Sequence, residues 1–553
     1  SQAAVLVYDF LMEAKRLRCA KARAMAIRRL KHHTVCVLGE SALSANSVSS
    51  NVPDDTPVIV GVSRFTPKGR SAEQGLPASP LDLMERTARE AARDTGIDEA
   101  AVFREVTVVG CAGIFSPEVF PMYPNLPRSL ANRLGVRRDA VCHQRGEGGD
   151  GAQAMTNIMA ERIINHAPLS DGITLLSRGL AVDSLRIWKQ KHRGELKELQ
   201  EAWADDPEAG EPERSGVPPH PNFINEQEYV HDLMMPIQLY PLIENALRHK
   251  YGRSFKEHHE SVSKLMSSFS RVAASQPDHA WRPVYRTPEE ISVASASNRW
   301  VGFPYTKYMN ANDNIDGAAT WLLCSVKTAR RLGIHMDKWV YLCAGAQCHE
   351  GTDDKWFVSG RNDVTSLPSL QLTIKNCLSS AGVSSPQISF FDLYSCFPCV
   401  VEIAADILGV PHDDPRGLTI TGGLPFYGQM SSTCCIPAMV ERLRVRRAAF
   451  GLVTGNGGFA TKHSAGLYSG EPPKRPFQLA PVEKLQAEVD AMPRAKLAQR
   501  PAGEAVVETF TVHHGRDNQP RSGVVFGRLV ATGERFVARV AHDPAVHARM
   551  MNE

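Results

Sequence analysis

Twelve cysteines are scattered through the chain, and a few have neighbours that suggest chemistry. Cys396-Phe397-Pro398-Cys399 has the spacing of a redox pair or half a zinc site. No second pair at zinc-ligand spacing follows, which favours two thiols at a strand–helix junction and no metal. Cys434 and Cys435 are adjacent and read as packing residues. Cys142-His143 places a nucleophile beside a base, but neighbours in an extended segment point to opposite faces. Gly422-Gly423 and the run Gly455 to Gly458 lack the P-loop lysine and the dinucleotide-binding spacing, so they read as tight backbone turns.

These residues must be positioned by an alternation of strands and helices that starts near Pro57. Segments 58–65, 106–115 and 172–180 are β-branched or apolar and bounded by Gly or Pro, which predicts strands. Between them, 81–95 has helical spacing of Leu, Met and Ala, with Gly96 as a C-terminal cap. A second series follows, with strands expected at 339–346, 388–396, 418–421 and 448–454 and helices at 366–381 and 398–408. Two such series suggest a duplicated α/β unit. Residues 187–218 are highly charged and end in a Pro-rich turn, which predicts a surface excursion or cap. Beyond a Pro- and Lys-rich linker at 471–481 and a polar helix at 482–497, segments 506–513, 523–530 and 535–540 predict three short strands of a small separate β-domain.

The 553 residues are 43% hydrophobic and 22% charged, enough for two or three domains with a sizeable core. A net charge of +3 does not call for a nucleic-acid partner. Dispersed cysteines fit a reducing compartment, and no apolar run approaches the roughly 20 residues that span a bilayer. The first fifty residues differ in kind. Lys15, Arg16, Arg18, Lys21, Arg23, Arg28, Arg29 and Lys31 accumulate, while acids are almost confined to Asp9 and Glu13. A basic helix is expected within 1–33, followed by a Ser/Asn-rich linker to residue 50. An Arg-rich, acid-poor N-terminus resembles a mitochondrial transit segment, with peroxisomal or cytoplasmic settings as alternatives. It is also read here as a retained helix that docks on a partner.

Three ordered segments carry a family resemblance: Asp392-Leu393-Tyr394-Ser395-Cys396-Phe397-Pro398, Thr419-Ile420-Thr421-Gly422-Gly423-Leu424-Pro425-Phe426, and Gly451-Leu452-Val453-Thr454-Gly455-Asn456-Gly457-Gly458. With Asn298-Arg299, Pro304-Tyr305-Thr306-Lys307 and Lys462-His463-Ser464-Ala465-Gly466, they resemble the thiolase superfamily, in its branch related to sterol-carrier-protein-type thiolases. The resemblance implies a five-layer α/β/α/β/α fold with two related halves, at 51–335 and 336–475. It also implies a loop insertion at about 181–300 and a β-domain at 480–553. The family's chemistry uses a cysteine thiolate at a helix N-terminus, a histidine that activates it, a second cysteine that moves a proton, and an oxyanion site. The positions that match those groups are Gly148, Gln429 and Thr454, with Tyr394 at the polar position of a further motif. None can form the thioester, so catalytic residues of the thiolase type are absent.

The resemblance implies instead a candidate pocket of Tyr394, Cys396, Gln429, Thr454, Asn456 and His463. Three readings follow. One is a pseudoenzyme that binds CoA thioesters or another acyl ligand. Another is an accessory subunit of a large mitochondrial assembly, contacting partners through 1–33, 187–218 and the C-terminal β-domain. The last is a non-cysteine acyl-transfer or thioester-cleaving enzyme, with His463 open to a general-base or a structural role.

Overall fold

The structure, a computed structural model, describes residues 52–67, 75–113, 122–146, 148–167, 170–204, 210–215, 224–350 and 357–552. The expected basic helix at 1–33 lies outside the described residues. Asp55–Glu553 cluster as one unit and hold every element described below.

The run Pro57–Phe65 forms strand β1, seven of whose nine residues are buried. Strands β2 (Val106–Ala112), β3 (Val141–Arg145) and β4 (Ile173–Ala181) are mutually parallel in the order β4-β2-β3. A three-residue strand, β5 (Glu213–Ser215), covers the outer edge of β3. After two short strands, β6 (Trp300–Gly302) and β7 (Tyr305–Thr306), comes β8 (Asp316–Ser325), which lies antiparallel between β4 and β1. Every residue of β8 is buried, so it lacks the in–out alternation by which a strand is read from sequence.

The second half repeats this order. Strands β9 (Val340–His349), β10 (Ile388–Asp392), β11 (Phe450–Gly457) and β12 (Lys462–Ser469) lie in the order β10-β11-β12-β9, and β9 pairs with β1. With the short strands β5, β6 and β7 set aside, each half runs outward from that junction first strand, last, last but one, second. The first half adds its third strand, β3, while the second half lacks that member. The strand expected at 418–421 would supply it. Instead Leu393 N donates to Leu418 O at 3.0 Å, and the buried Asp392 carboxylate accepts from Ile420 N, Thr421 N and the Thr419 and Thr421 hydroxyls at 2.9–3.0 Å. A side chain satisfies the donors that a ladder would have used.

Two buried helices, Gly151–Ile164 and Ser431–Val445, form the central layer. The first bonds strands of both halves: Asn157 Nδ2 donates to Ala346 O and Ala465 O at 3.2 Å, and Trp321 Nε1 donates to Thr156 Oγ1 at 3.0 Å. Met155, Met159, Ile163, Ile436, Met439 and Leu443 meet in one core, each worth about 1.5–3 kcal/mol of transfer free energy. An outer helix, Pro80–Asp94, starts on a capping box in which Ser79 and Asp82 bond each other's backbone. It buries Leu81, Met84, Ala88 and Ala91 at helical spacing, and Gly96 follows with φ +83°.

The tail forms the three expected strands, β13 (Ala505–His514), β14 (Pro520–Leu529) and β15 (Arg535–Val540). They form the small C-terminal antiparallel sheet that was expected. The sheet runs β15-β14-β13-β6-β7, so two strands from before β8 complete it. The charged insertion is also more than a surface excursion. Val182–Lys191 and Lys197–Trp203 are helices that bury Trp188, Leu199 and Trp203, and Trp203 Nε1 donates to Pro77 O at 2.9 Å. Among the described residues no helix is long and apolar enough to cross a membrane.

Candidate functional site

Strands β11 and β12 meet the start of the Gly151–Ile164 helix at a run of close backbone approaches. A Cβ on Gly149 would lie 2.1 Å from Tyr394 Oη and 2.5 Å from Asn456 O, and one on Gly455 would lie 2.8 Å from Asp150 Cα. Only glycine permits this contact. Tyr394 N donates to Thr454 Oγ1 at 2.9 Å, and Asn456 Nδ2 approaches Cys396 Sγ at 3.6 Å and Tyr240 Oη at 3.3 Å. Tyr240 arrives from the helix Pro236–Lys250 and stacks on Phe397 with centroids 4.2 Å apart. His463 lies directly across the ladder from Asn456.

Five of the six expected pocket residues thus converge: Tyr394, Cys396, Thr454, Asn456 and His463 are all buried. Gln429 is set off from Cys396 by the 311–312 backbone, since Ala311 N donates to Cys396 O and Gln429 N donates to Asn312 O. Burial pushes the Cys396 thiol up to about 12, so it is held as a thiol. Burial also depresses His463 to about 4, against its backbone bond to Ala460 O at 3.1 Å, and keeps the ring neutral. The ten described cysteines are all buried and free.

Asp150 belongs to this centre and was not among the residues expected from sequence. It precedes the buried helix, and its Oδ2 accepts from Arg145 Nη2 at 3.0 Å while Oδ1 has no partner. Burial opposes its ionisation, but Arg145 and Lys462 outweigh that and hold the carboxyl below its usual range. Its signal in the sequence is an acid within a glycine run that opens an apolar helix. Gly148 contributes only backbone, at φ +149°, where a Cβ would meet Asp150 Oδ1 at 2.3 Å.

On the other side of segment 310–313 lies an open cleft of about 980 Å³. Its lining includes Arg282, Arg299, Lys307, Asn312 and Asp313. Arg282 donates to Asn312 Oδ1 at 3.4 Å and Arg299 to the carbonyls of Trp300 and Gly515, but no carboxylate pairs with Arg282, Arg299 or Lys307 among the described residues. Burial and then the Arg282 charge lower the Lys307 pKa. Asp313 is exposed to the cleft, and desolvation by the protein that surrounds the cleft pushes it up to about 6.

Among the described residues, one group gathers three side chains of metal-ligand type: Glu244, His258 and Glu402. Arg253 Nη1 faces His258 Nδ1 at 3.5 Å, so that nitrogen accepts, and His258 Nε2 carries its proton toward Glu244 Oε1 at 2.5 Å. Arg253 and His412 also lie 3.8 and 3.3 Å from Glu402. The arrangement is that of a buried ion-pair network joining three helices, with no ring nitrogen free to ligate.

The thiolase-like protein type 1 additional C-terminal domain family matches residues 484–553. A monomeric SCP2-thiolase-like protein type 1 from Mycobacterium smegmatis is 30% identical, with a TM-score of 0.73 over 91% of this chain and 95% of that one. The chain belongs to the SCP2-thiolase-like protein type 1 family. Within that family's wider fold it also resembles the dimeric peroxisomal thiolase of Saccharomyces cerevisiae, at 14% identity and TM-score 0.53 over 77% of this chain and all of that one. The Ltp2–ChsH2(DUF35) aldolase is similar at 18% identity and TM-score 0.53, over 75% of this chain and 98% of that one. The comparison with curated proteins returns no match. The thiolase-like fold is therefore kept, while the centre holds a buried Asp150–Arg145 pair, a thiol and a neutral imidazole.

Proposed function

We propose that this thiolase-like protein binds acyl-CoA thioesters through the cationic cleft and does not use cysteine chemistry on them. The observation that carries the reading is the trio Arg282, Arg299 and Lys307, three cations on one cleft without carboxylate partners. Cations crowded together are stabilised by an anion, and phosphates with their several acceptor oxygens suit guanidinium forks. The thioester end is then directed toward segment 310–313, behind which the former centre lies. A buried thiol pushed to about 12 is a poor nucleophile, which supports a binding role over acyl transfer. The basic segment 1–33 supports a mitochondrial setting.

Calorimetry with acetyl-, octanoyl- and palmitoyl-CoA tests the reading. Saturable binding is expected, weakened at least about tenfold by Lys307→Glu or Arg299→Glu with unchanged thermal stability. Absence of saturable binding overturns the ligand class. Release of free CoA by the wild-type protein, lost in His463→Ala, would replace a binding role by a non-cysteine thioester cleavage.

A further inference from the structure

We propose that the rim of the cationic cleft docks on an anionic lipid bilayer. Within nine residues, Tyr229, Val230, Met234, Met235 and Ile237 are 40–61% exposed. Large apolar side chains clustered in this way mark an interaction surface, whereas single exposed ones do not. The backbone that carries them is fixed. Leu233 is fully buried, Arg539 Nη2 donates to Val230 O at 3.0 Å, and Gln238 Oε1 accepts from Met234 N and Met235 N at 3.0 and 2.8 Å. The loop therefore displays its side chains from a held scaffold.

Ile237 connects this surface to the cleft, since it lines the cavity that also holds Arg282, Arg299, Lys307 and Arg516. Apolar side chains beside unpaired cations match the two components of a bilayer surface, the acyl boundary and the anionic headgroups. A second copy of the chain fits less well. A two-fold interface would set a cleft lined by five cations and only three carboxylates against its own image. The proposal shares the cleft's cations with the reading above, but its apolar half is independent of it. Docked this way, the cleft would open where long-chain amphiphiles partition.

Flotation of the full chain with vesicles tests this. Vesicles of phosphatidylcholine containing about 30% phosphatidylserine are expected to carry at least about ten times more protein than phosphatidylcholine alone, and less as salt rises. Met234→Asp with Met235→Asp should lose that excess while keeping acyl-CoA affinity. Position 235 precedes the helix Pro236–Lys250, where an aspartate caps well, so the variant should fold. Equal flotation on the two vesicle types, or a double variant that floats like the wild type, overturns the proposal. So does a wild-type dimer in light scattering that the double variant dissolves. Vesicle binding without acyl-CoA binding would leave docking standing and remove the ligand reading.

Discussion

The centre around Asn456 and the cleft around Lys307 share the backbone segment 310–313, yet they treat charge in opposite ways. In the centre, Asp150 meets Arg145, a thiol stays protonated and an imidazole stays neutral. In the cleft, three cations stand without carboxylates and Asp313 is pushed toward neutrality. Charge in the centre is compensated within the protein, as expected of residues that hold packing together. Charge in the cleft is compensated only in part, by Asp183, Asp278 and Asp313 on the same lining, and an outside anion would complete it. On the function proposed above, a fold that gives up its chemistry fills its reaction chamber and keeps an adjacent surface for binding.

The strongest way to break that comparison is Asp150→Ala. If the centre is structural, the change leaves Arg145 buried without its partner and should cost about 3–5 kcal/mol in urea unfolding. Acyl-CoA affinity, measured below the transition, should hold. A stable variant with lost affinity would make Asp150 part of the binding site.

The next largest effect comes from pH. Between about 6.5 and 4 the unfolded chain takes a proton that His463 refuses in the fold, so stability falls as pH drops through that window. The contribution reaches about 3 kcal/mol at most. His259 and His513, also depressed to about 4, share the same acid limb. His463→Gln should therefore lower the slope of stability with pH by about one proton, or about 1.4 kcal/mol per pH unit. An unchanged slope would mean that His463 already carries its charge in the fold, as a group serving a ligand would.

Gly149→Ala addresses packing directly. The added methyl meets Tyr394 Oη and Asn456 O, and overpacking of this kind costs about 1–3 kcal/mol. Tyr394→Ala in the same chain should recover part of the loss, a coupling visible in a double-mutant cycle. Additive costs would show that the two groups do not touch.

Much of the scaffold was legible. The helix at Pro398–Leu408 agrees at both ends, because Pro398 starts it and Gly409 stops it in the left-handed region. The tail strands were visible through alternation and turn residues, but their sheet partners Trp300–Gly302 and Tyr305–Thr306 lie some 200 residues earlier. Short-range signals cannot reveal such pairing. Strand β8 hid because it is buried on both faces, and the expected strand at 418–421 gave way to Asp392, whose carboxylate binds that backbone. In the site, motif order located Tyr394, Cys396, Thr454, Asn456 and His463. Asp150 and the cation trio were missed because their meaning depends on which charges the fold leaves paired.

The smallest effect sharpens the cleft's side of the comparison. Asp313 ionises near pH 6, so above that pH it places a negative charge on the floor of a site argued to take phosphates. Asp313→Asn should strengthen acyl-CoA binding about two- to fivefold at pH 8, the scale of one charge at several ångströms in a partly solvated cleft. At pH 5, where the wild-type carboxyl is already neutral, the two proteins should bind alike. The affinity ratio should thus rise through pH 6 and then level off. A ratio that is flat across this range would place the ligand's charge away from segment 310–313, and with it the path from the cleft toward the former centre.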